Sequence, residues 1–286
     1  MKDNTDNLLR KAIVNQDDFL IKKKYSQNFL LDKNIISKII ENAEIDQTTG
    51  VIEIGPGLGA LTKSIADKAK KVLIYEIDTD LIPYLESFLR GYHNYTLLNT
   101  DILKANICED IKNHLSDVDQ IVVISNLPYH ITTPIIMRFL EEVSGIDRMV
   151  LMMQLEVAQR ITSKPDTKDY NALSVVIQHQ ATARYLFKVP KTVFHPQPNV
   201  DSAVIRLDIK KDVNAMDNKL FYQFVHQCFA QRRKTLVNNI TNGYNKYTKE
   251  ELNQILIENK LNPLARAESL SLDELLNLYE TYYKTQ

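Results

Sequence analysis

Seven glycines are spread over 286 residues, yet three share one five-residue window, Gly55, Gly57 and Gly59 in VIEIGPGLGALT. That clustering needs a backbone reason. A strand that turns sharply into a helix while a ligand lies against the main chain supplies one, because glycine alone tolerates both positive φ and such close approach. The spacing is GxGxG and not the dinucleotide GxGxxG, since Ala60 follows, so a nucleotide and a nucleoside cofactor both stand as candidates. Glu76 comes 21 residues after Gly55, at the end of the next apolar run. An acidic side chain there can accept hydrogen bonds from both hydroxyls of a ribose. Asp101, in NTDIL, ends a third run and is placed for an adenine edge. Gly55, Gly57, Glu76 and Asp101 together describe an adenosine-shaped crevice. Asp78 and Asp80 of EIDTD read as a helix cap and a solvated charge, not as a metal pair.

Other chemistries find no support. The six histidines are scattered, Cys108 and Cys228 stand 120 positions apart, and no HExxH, Walker A or GxSxG pattern occurs, which argues against metal, P-loop and hydrolase sites. A composition 44% hydrophobic and 25% charged is that of a folded globular chain. The first twenty residues hold no apolar core of a signal peptide and no run reaches membrane-spanning length, so a cytoplasmic protein without membrane contact is expected. With a formal charge of −1, any polyanion-binding surface must come from local clustering.

Positioning these residues requires alternating strands and helices. VIEI (51–54), KVLIYEI (71–77), YTLLNT (95–100), QIVVIS (120–125), RMVLMM (148–153) and SAVIRLDI (202–209) read as strands. ALTKSIADKA, DLIPYLESFL, TPIIMRFLEEV and LEVAQRITS read as helices between them. The pattern predicts a doubly wound α/β domain with a mostly parallel sheet. ALSVVIQHQA (172–181) alternates poorly and fits strand or helix. Beyond Asp212 the segments LFYQFVHQCFAQRRKTLVNNI, KEELNQILIENK and SLDELLNLYETYY carry helical spacing. The expected organisation is an N-terminal extension at 1–21, an α/β domain at 22–210, a polar linker and a small all-helical domain at 216–286.

After the fourth strand comes SNLPY (125–129). This segment resembles the Asn/Asp-x-Pro-Tyr loop of amino methyltransferases that use S-adenosylmethionine and act on exocyclic amines of nucleobases. Such an amine is a poor nucleophile because its lone pair is delocalised into the ring. The resemblance implies that the Asn126 side-chain oxygen and the Leu127 carbonyl accept both amine hydrogens, that Pro128 fixes the loop, and that Tyr129 offers a face for the base. A target base must leave its stack at a cost of a few kcal/mol. Phe194, in VFHPQPNVDSAV, is the candidate for the second face of an aromatic sandwich.

The whole chain from about Lys22 resembles the bacterial small-subunit ribosomal RNA adenine dimethyltransferases, through YSQNFLLD, EIGPGLGALT, YEID, NTDILKA, NLPYHITTP, VFHPQPNVDSAVIRL and FAQRRKTLVNN. The resemblance implies a Rossmann-like methyltransferase domain, S-adenosylmethionine as cofactor with S-adenosylhomocysteine as product, and no metal. It adds Asn28, Leu30 and Asn126 to the cofactor contacts. The implied activity places two methyl groups on each of two adjacent adenosines in a hairpin near the 3′ end of 16S rRNA in the small ribosomal subunit. Two positions depart from the family pattern, Ser26 before QNFL and Leu155 where many members carry lysine, and these predict altered contacts with activity retained. Lys22, Lys23 and Lys24 with Arg232, Arg233 and Lys234 form the dense basic clusters and are the expected RNA contacts, QRRK being read as part of an RNA-facing helix. A monomer is expected. The competing readings are a large-subunit rRNA methyltransferase of the macrolide-resistance type, a non-catalytic subunit assembly factor, and a nicotinamide oxidoreductase.

Overall fold

The protein is described by a computed structural model covering residues 28–211, 218–243 and 246–284. The N-terminal extension, Lys22, Lys23, Lys24 and Ser26 lie outside the described residues. The chain divides into two compact units. One comprises the described residues up to Ala158 with Arg184–Ile209, the other Gln159–Ala183 with the described residues from 210 onward. Segment 159–183, which the sequence reading groups with the sheet, therefore clusters with the C-terminal helices.

The first unit is built on strands β2 (Thr49–Ile54), β3 (Lys71–Glu76), β4 (Tyr95–Asn99), β5 (Gln120–Asn126), β6 (Arg148–Gln154), β7 (Ala181–Val189) and β9 (Ser202–Ile209). Their order is β4-β3-β2-β5-β6-β9-β7. Neighbours from β4 to β6 run parallel, and β9 is antiparallel to β6. Side chains on both faces of the central strands are buried, including Val51, Ile52, Leu73, Ile74, Val123 and Ile124 at 0% exposure, which is why these strands read as unbroken apolar runs. Helices α2 (Thr62–Ala66), α3 (Ile82–Phe88) and α5 (Thr132–Glu142) follow the strands as the alternation predicts.

Two further helices stand outside that reading, α1 (Lys33–Ala43) and α4 (Ile107–His114). Helix α1 is capped by Asp32, whose carboxylate accepts the backbone N–H groups of Asn34 and Ile35 at 2.8 and 3.1 Å. It buries Ile39, Ile40 and Ala43 in the sheet core. Ahead of it, β1 (Phe29–Leu30) pairs antiparallel with β8 (Phe194–His195), setting Leu30 opposite Phe194. This two-stranded strap holds Asn28 beside the sheet.

The second unit holds the end of α6 (Leu155–Thr162), then α7 (Ala172–Gln180), α8 (Asn218–Cys228), α9 (Leu236–Gly243), α10 (Lys249–Glu258) and α11 (Leu272–Lys284). Phe221 and Phe224 of α8 meet Tyr279 of α11 at ring-centroid distances of 5.3 and 5.6 Å, edge to face, an arrangement that adds to simple burial. ALSVVIQHQA resolves as helix over Ala172–Gln180, capped by Asn171 and Ser174 in a reciprocal pair, and passes directly into β7.

The single long helix expected across QRRK is instead two, α8 and α9, and Arg232, Arg233 and Lys234 sit in the turn between them. Asn239 breaks the run, because its Nδ2 donates to the carbonyls of Cys228 and Gln231 at 2.7 and 3.1 Å. The Thr235 hydroxyl then accepts the Asn238 N–H at 3.4 Å and starts α9.

Candidate active site

In the strand order, β2 has β3 on one side and β5 on the other, so connections leave its two neighbours in opposite directions. Open α/β sheets form their ligand crevice at such a switch point, beyond the carboxyl ends of the strands. A cavity of about 300 Å³ lies there, at the small end of the range for ligand sites. Asn28, Leu30, Gly55, Gly57, Glu76, Asp101, Asn126, Leu127, Pro128 and Tyr129 all line it. Ten of the residues predicted from sequence thus converge on one cavity, drawn from the strap and from the ends of β2, β3, β4 and β5.

The glycine turn serves two purposes. Gly55 has φ +62, its N–H donates to the Tyr75 carbonyl at 2.8 Å, and a Cβ built on it meets nothing within 4 Å. The turn therefore presents bare backbone to open space. Gly59, with φ +79, is needed for packing, since a Cβ there would lie 2.8 Å from the Phe88 ring.

Glu76 is 4% exposed, and its Oε1 accepts the Asp78 N–H at 2.8 Å. Burial pushes its carboxyl up from the usual range, and backbone N–H groups of Asp78 and Gly57 hold it back. Asp78 caps the following turn, accepting the Asp80 N–H at 3.2 Å, as the sequence suggested. Asp101 Oδ1 accepts the Leu103 N–H at 3.0 Å.

At the end of β5, Asn126 Nδ2 donates to the Asn28 carbonyl at 3.1 Å. Turning the amide over would set its oxygen against that carbonyl oxygen, so this contact fixes which atom is which and leaves Oδ1 as the acceptor facing the cavity. The loop behind it is held by the Thr132 hydroxyl, which donates to the Pro128 carbonyl at 3.0 Å, and by the Leu127 N–H, which donates to Met152 O at 3.0 Å. Tyr129 Oη lies 2.7 Å from Ser202 Oγ. Burial keeps that phenol protonated, so the ring works as a neutral surface.

Phe194 departs from expectation. It is 4% exposed and belongs to the apolar core cluster with Leu30 and Val189. In β8, opposite Leu30, its side chain turns into that core and not toward the cavity lining.

Glu53 was not singled out from the sequence, although a carboxylate inside the apolar run VIEI was a visible signal. It lines the cavity at 1% exposure. Burial pushes its pKa up to about 8, with the Thr62 hydroxyl holding it back and the Glu76 carboxylate adding to the rise. Because the folded value lies above the ordinary 4.5, the native state holds an extra proton between about pH 4.5 and 8, and stability falls as pH rises through that window. Glu53→Gln is therefore expected to melt on the order of 5 °C higher than the parent near pH 8 and close to it at pH 5. Thermal melts across this range check it, and a difference independent of pH would contradict the assignment.

The donor set decides which cofactor fits. Glu76 and Asp101 line the cavity beside a Glu53 that burial keeps protonated, and no lysine or arginine lines it among the described residues. A pyrophosphate would meet carboxylates without a counter-charge, whereas a nucleoside carrying positive charge meets complementary groups. The residues fit S-adenosylmethionine, a sulfonium nucleoside, and disfavour a dinucleotide. Among the described residues there is no cluster of three or more His, Cys, Asp or Glu able to hold a metal ion, and no helix is long and apolar enough to cross a membrane.

Sheet order, glycine turn and switch-point cavity define a methyltransferase of the Rossmann-like class. A dimethyladenosine transferase from Plasmodium falciparum shares the fold, with a TM-score of 0.75 at 24% identity over 87% of this chain and 95% of that one. So does the 23S rRNA methyltransferase ErmE, with a TM-score of 0.69 at 27% identity over 89% and 99%. Residues 18–284 match the model of one family, and the chain belongs to it: the ribosomal RNA adenine dimethylases. Among its relatives is the ribosomal RNA small subunit methyltransferase A of Bacillus licheniformis, 46% identical over 268 residues and covering 92% of each chain. Its namesake from Bacillus cytotoxicus is 46% identical over 272 residues, covering 94% of this chain and 93% of the relative.

Proposed function

We propose that this protein transfers methyl groups to N6 of two adjacent adenosines near the 3′ end of small-subunit ribosomal RNA, two to each, in the cytoplasm. The observation that carries the reading is the Asn126 amide, pinned through Nδ2 to the Asn28 carbonyl in a cavity that Tyr129 also lines. When bound, S-adenosylmethionine supplies an electrophilic methyl group and leaves as S-adenosylhomocysteine. Glu76 accepts hydrogen bonds from ribose hydroxyls, Asp101 takes the adenine edge, and Gly55, Gly57, Asn28 and Leu30 wall the remaining surface. Asn126 Oδ1 and the Leu127 carbonyl accept the two hydrogens of the target amine. Two acceptors on one nitrogen draw it out of conjugation and localise its lone pair, and the displaced proton passes to solvent. Tyr129 stacks on the extruded base, which recovers about 1–3 kcal/mol against the cost of extrusion. Catalysis is then positioning and charge placement.

Arg232, Arg233 and Lys234 supply phosphate contacts from the turn between α8 and α9, with Lys22, Lys23 and Lys24 as further candidates. Arg232 lies 3.6 Å from Glu268, so Arg233 and Lys234 make the cleaner test. Their joint replacement by alanine is expected to lower the slope of log binding constant against log salt by about two, with single-turnover rate at saturating subunit retained. An unchanged slope contradicts the assignment.

The function itself is tested by labelled methyl transfer to unmodified ribosomal subunits. Label on small subunits is expected. Label on large subunits instead would support the resistance-type reading, and tight subunit binding with no label would support an assembly factor.

A further inference from the structure

We propose that Ser202, at the start of β9, is a positioning residue for methyl transfer that aims the Tyr129 ring at the target base. The proposal rests on the methyl-transfer reading and extends it to a residue outside the NLPY loop. The two working side chains of that loop are each anchored from outside it. Asn126 is held by the strap through the Asn28 carbonyl at 3.1 Å, and Tyr129 is held by β9 through Ser202 Oγ at 2.7 Å. The phenol oxygen lies on the axis of χ2, so a bond there fixes χ1 and with it where the ring sits, while the preference of the O–H for the ring plane favours one setting of the face.

Ser202 is suited to this because it is buried in the paired sheet. It is 0% exposed and is the register partner of Gln154 on β6. Its neighbour Asp201 is clamped three ways. The Asp201 carbonyl accepts the Leu155 N–H at 3.0 Å, its Oδ1 accepts the Lys191 N–H at 3.0 Å, and Lys188 Nζ approaches its carboxylate to 2.7 Å. The start of β9 thus gives the ring a fixed point on the rigid sheet. The bond also commits the phenol hydroxyl to Ser202, so the ring face and not the hydroxyl serves the base.

The test is a double-mutant cycle on kcat for transfer to unmodified small subunits, with the dissociation constant of S-adenosylhomocysteine measured on each variant. Ser202→Ala and Tyr129→Phe each remove the same bond while keeping the aromatic ring. Each is expected to lower kcat about fivefold, the worth of one neutral hydrogen bond, with cofactor affinity unchanged. The double variant is expected to be no slower than the slower single, and Ser202→Thr, which keeps the hydroxyl, is expected to restore most of the rate. Losses that multiply in the double variant, a Ser202→Ala enzyme at the parent rate, or failure of threonine to rescue would each overturn the proposal. The parent rate in the same assay reports separately on the methyl-transfer reading, so an active parent with uncoupled variants counts against Ser202 alone.

Discussion

Asn126→Ala is expected to cut single-turnover methyl transfer to small subunits by about a hundredfold to a thousandfold, the usual loss when one preorganised group aimed at the reacting centre is removed. Asn126 Oδ1 is an acceptor held in place before substrate arrives, because Nδ2 is already spent on the Asn28 carbonyl. Alanine removes the acceptor and leaves the Leu127 carbonyl alone at the amine, so the nitrogen keeps its conjugation. The loop itself should survive, since Thr132 and Met152 hold it through the Pro128 carbonyl and the Leu127 N–H. Cofactor affinity is accordingly expected to fall less than tenfold. Rapid-quench transfer and calorimetric titration with S-adenosylhomocysteine separate the two quantities, and a variant that loses affinity while keeping its rate would refute the catalytic role.

Glu76→Gln should weaken S-adenosylhomocysteine binding about fiftyfold, a little over 2 kcal/mol. Glutamine keeps the length of the side chain and can still accept the Asp78 N–H now received by Oε1 at 2.8 Å. It loses the charge and turns one acceptor into a donor, which then faces ribose hydroxyls that have been donating. Removing a carboxyl whose pKa burial has raised relieves the folded state, so the variant should remain folded while binding poorly. Calorimetry and a thermal melt on the same sample test this. Affinity within threefold of the parent would place the ribose elsewhere.

The central strands were legible because each is buried on both faces and so writes an apolar run bounded by turn residues, as VIEI and QIVVIS do, whereas β7, largely exposed along its length, was not. The glycine turn was legible for a different reason, since positive φ at Gly55 and Gly59 restricts the residue type. What escaped was shaped by tertiary context. Helix α7 buries Ser174, Val175, Val176, Ile177, His179 and Gln180, so it lacks the polar face that would set a helical period. QRRK continues a helical pattern in sequence, yet Asn239 intercepts the carbonyls that would extend α8. Phe194 carries the same letters whether it faces a base or a core, and only the pairing of Leu30 with Phe194 decides between them. Glu53 was hidden by its neighbours, an ionisable group read as part of a strand.

Mass spectrometry of small-subunit RNA after incubation with the purified protein and S-adenosylmethionine tests the central claim most directly. Two adjacent N6,N6-dimethyladenosines are expected in the 3′-terminal fragment, absent when the Asn126→Ala protein is used. Methylation at another base or atom, or an unmodified fragment from an enzyme that binds S-adenosylhomocysteine normally, would contradict it.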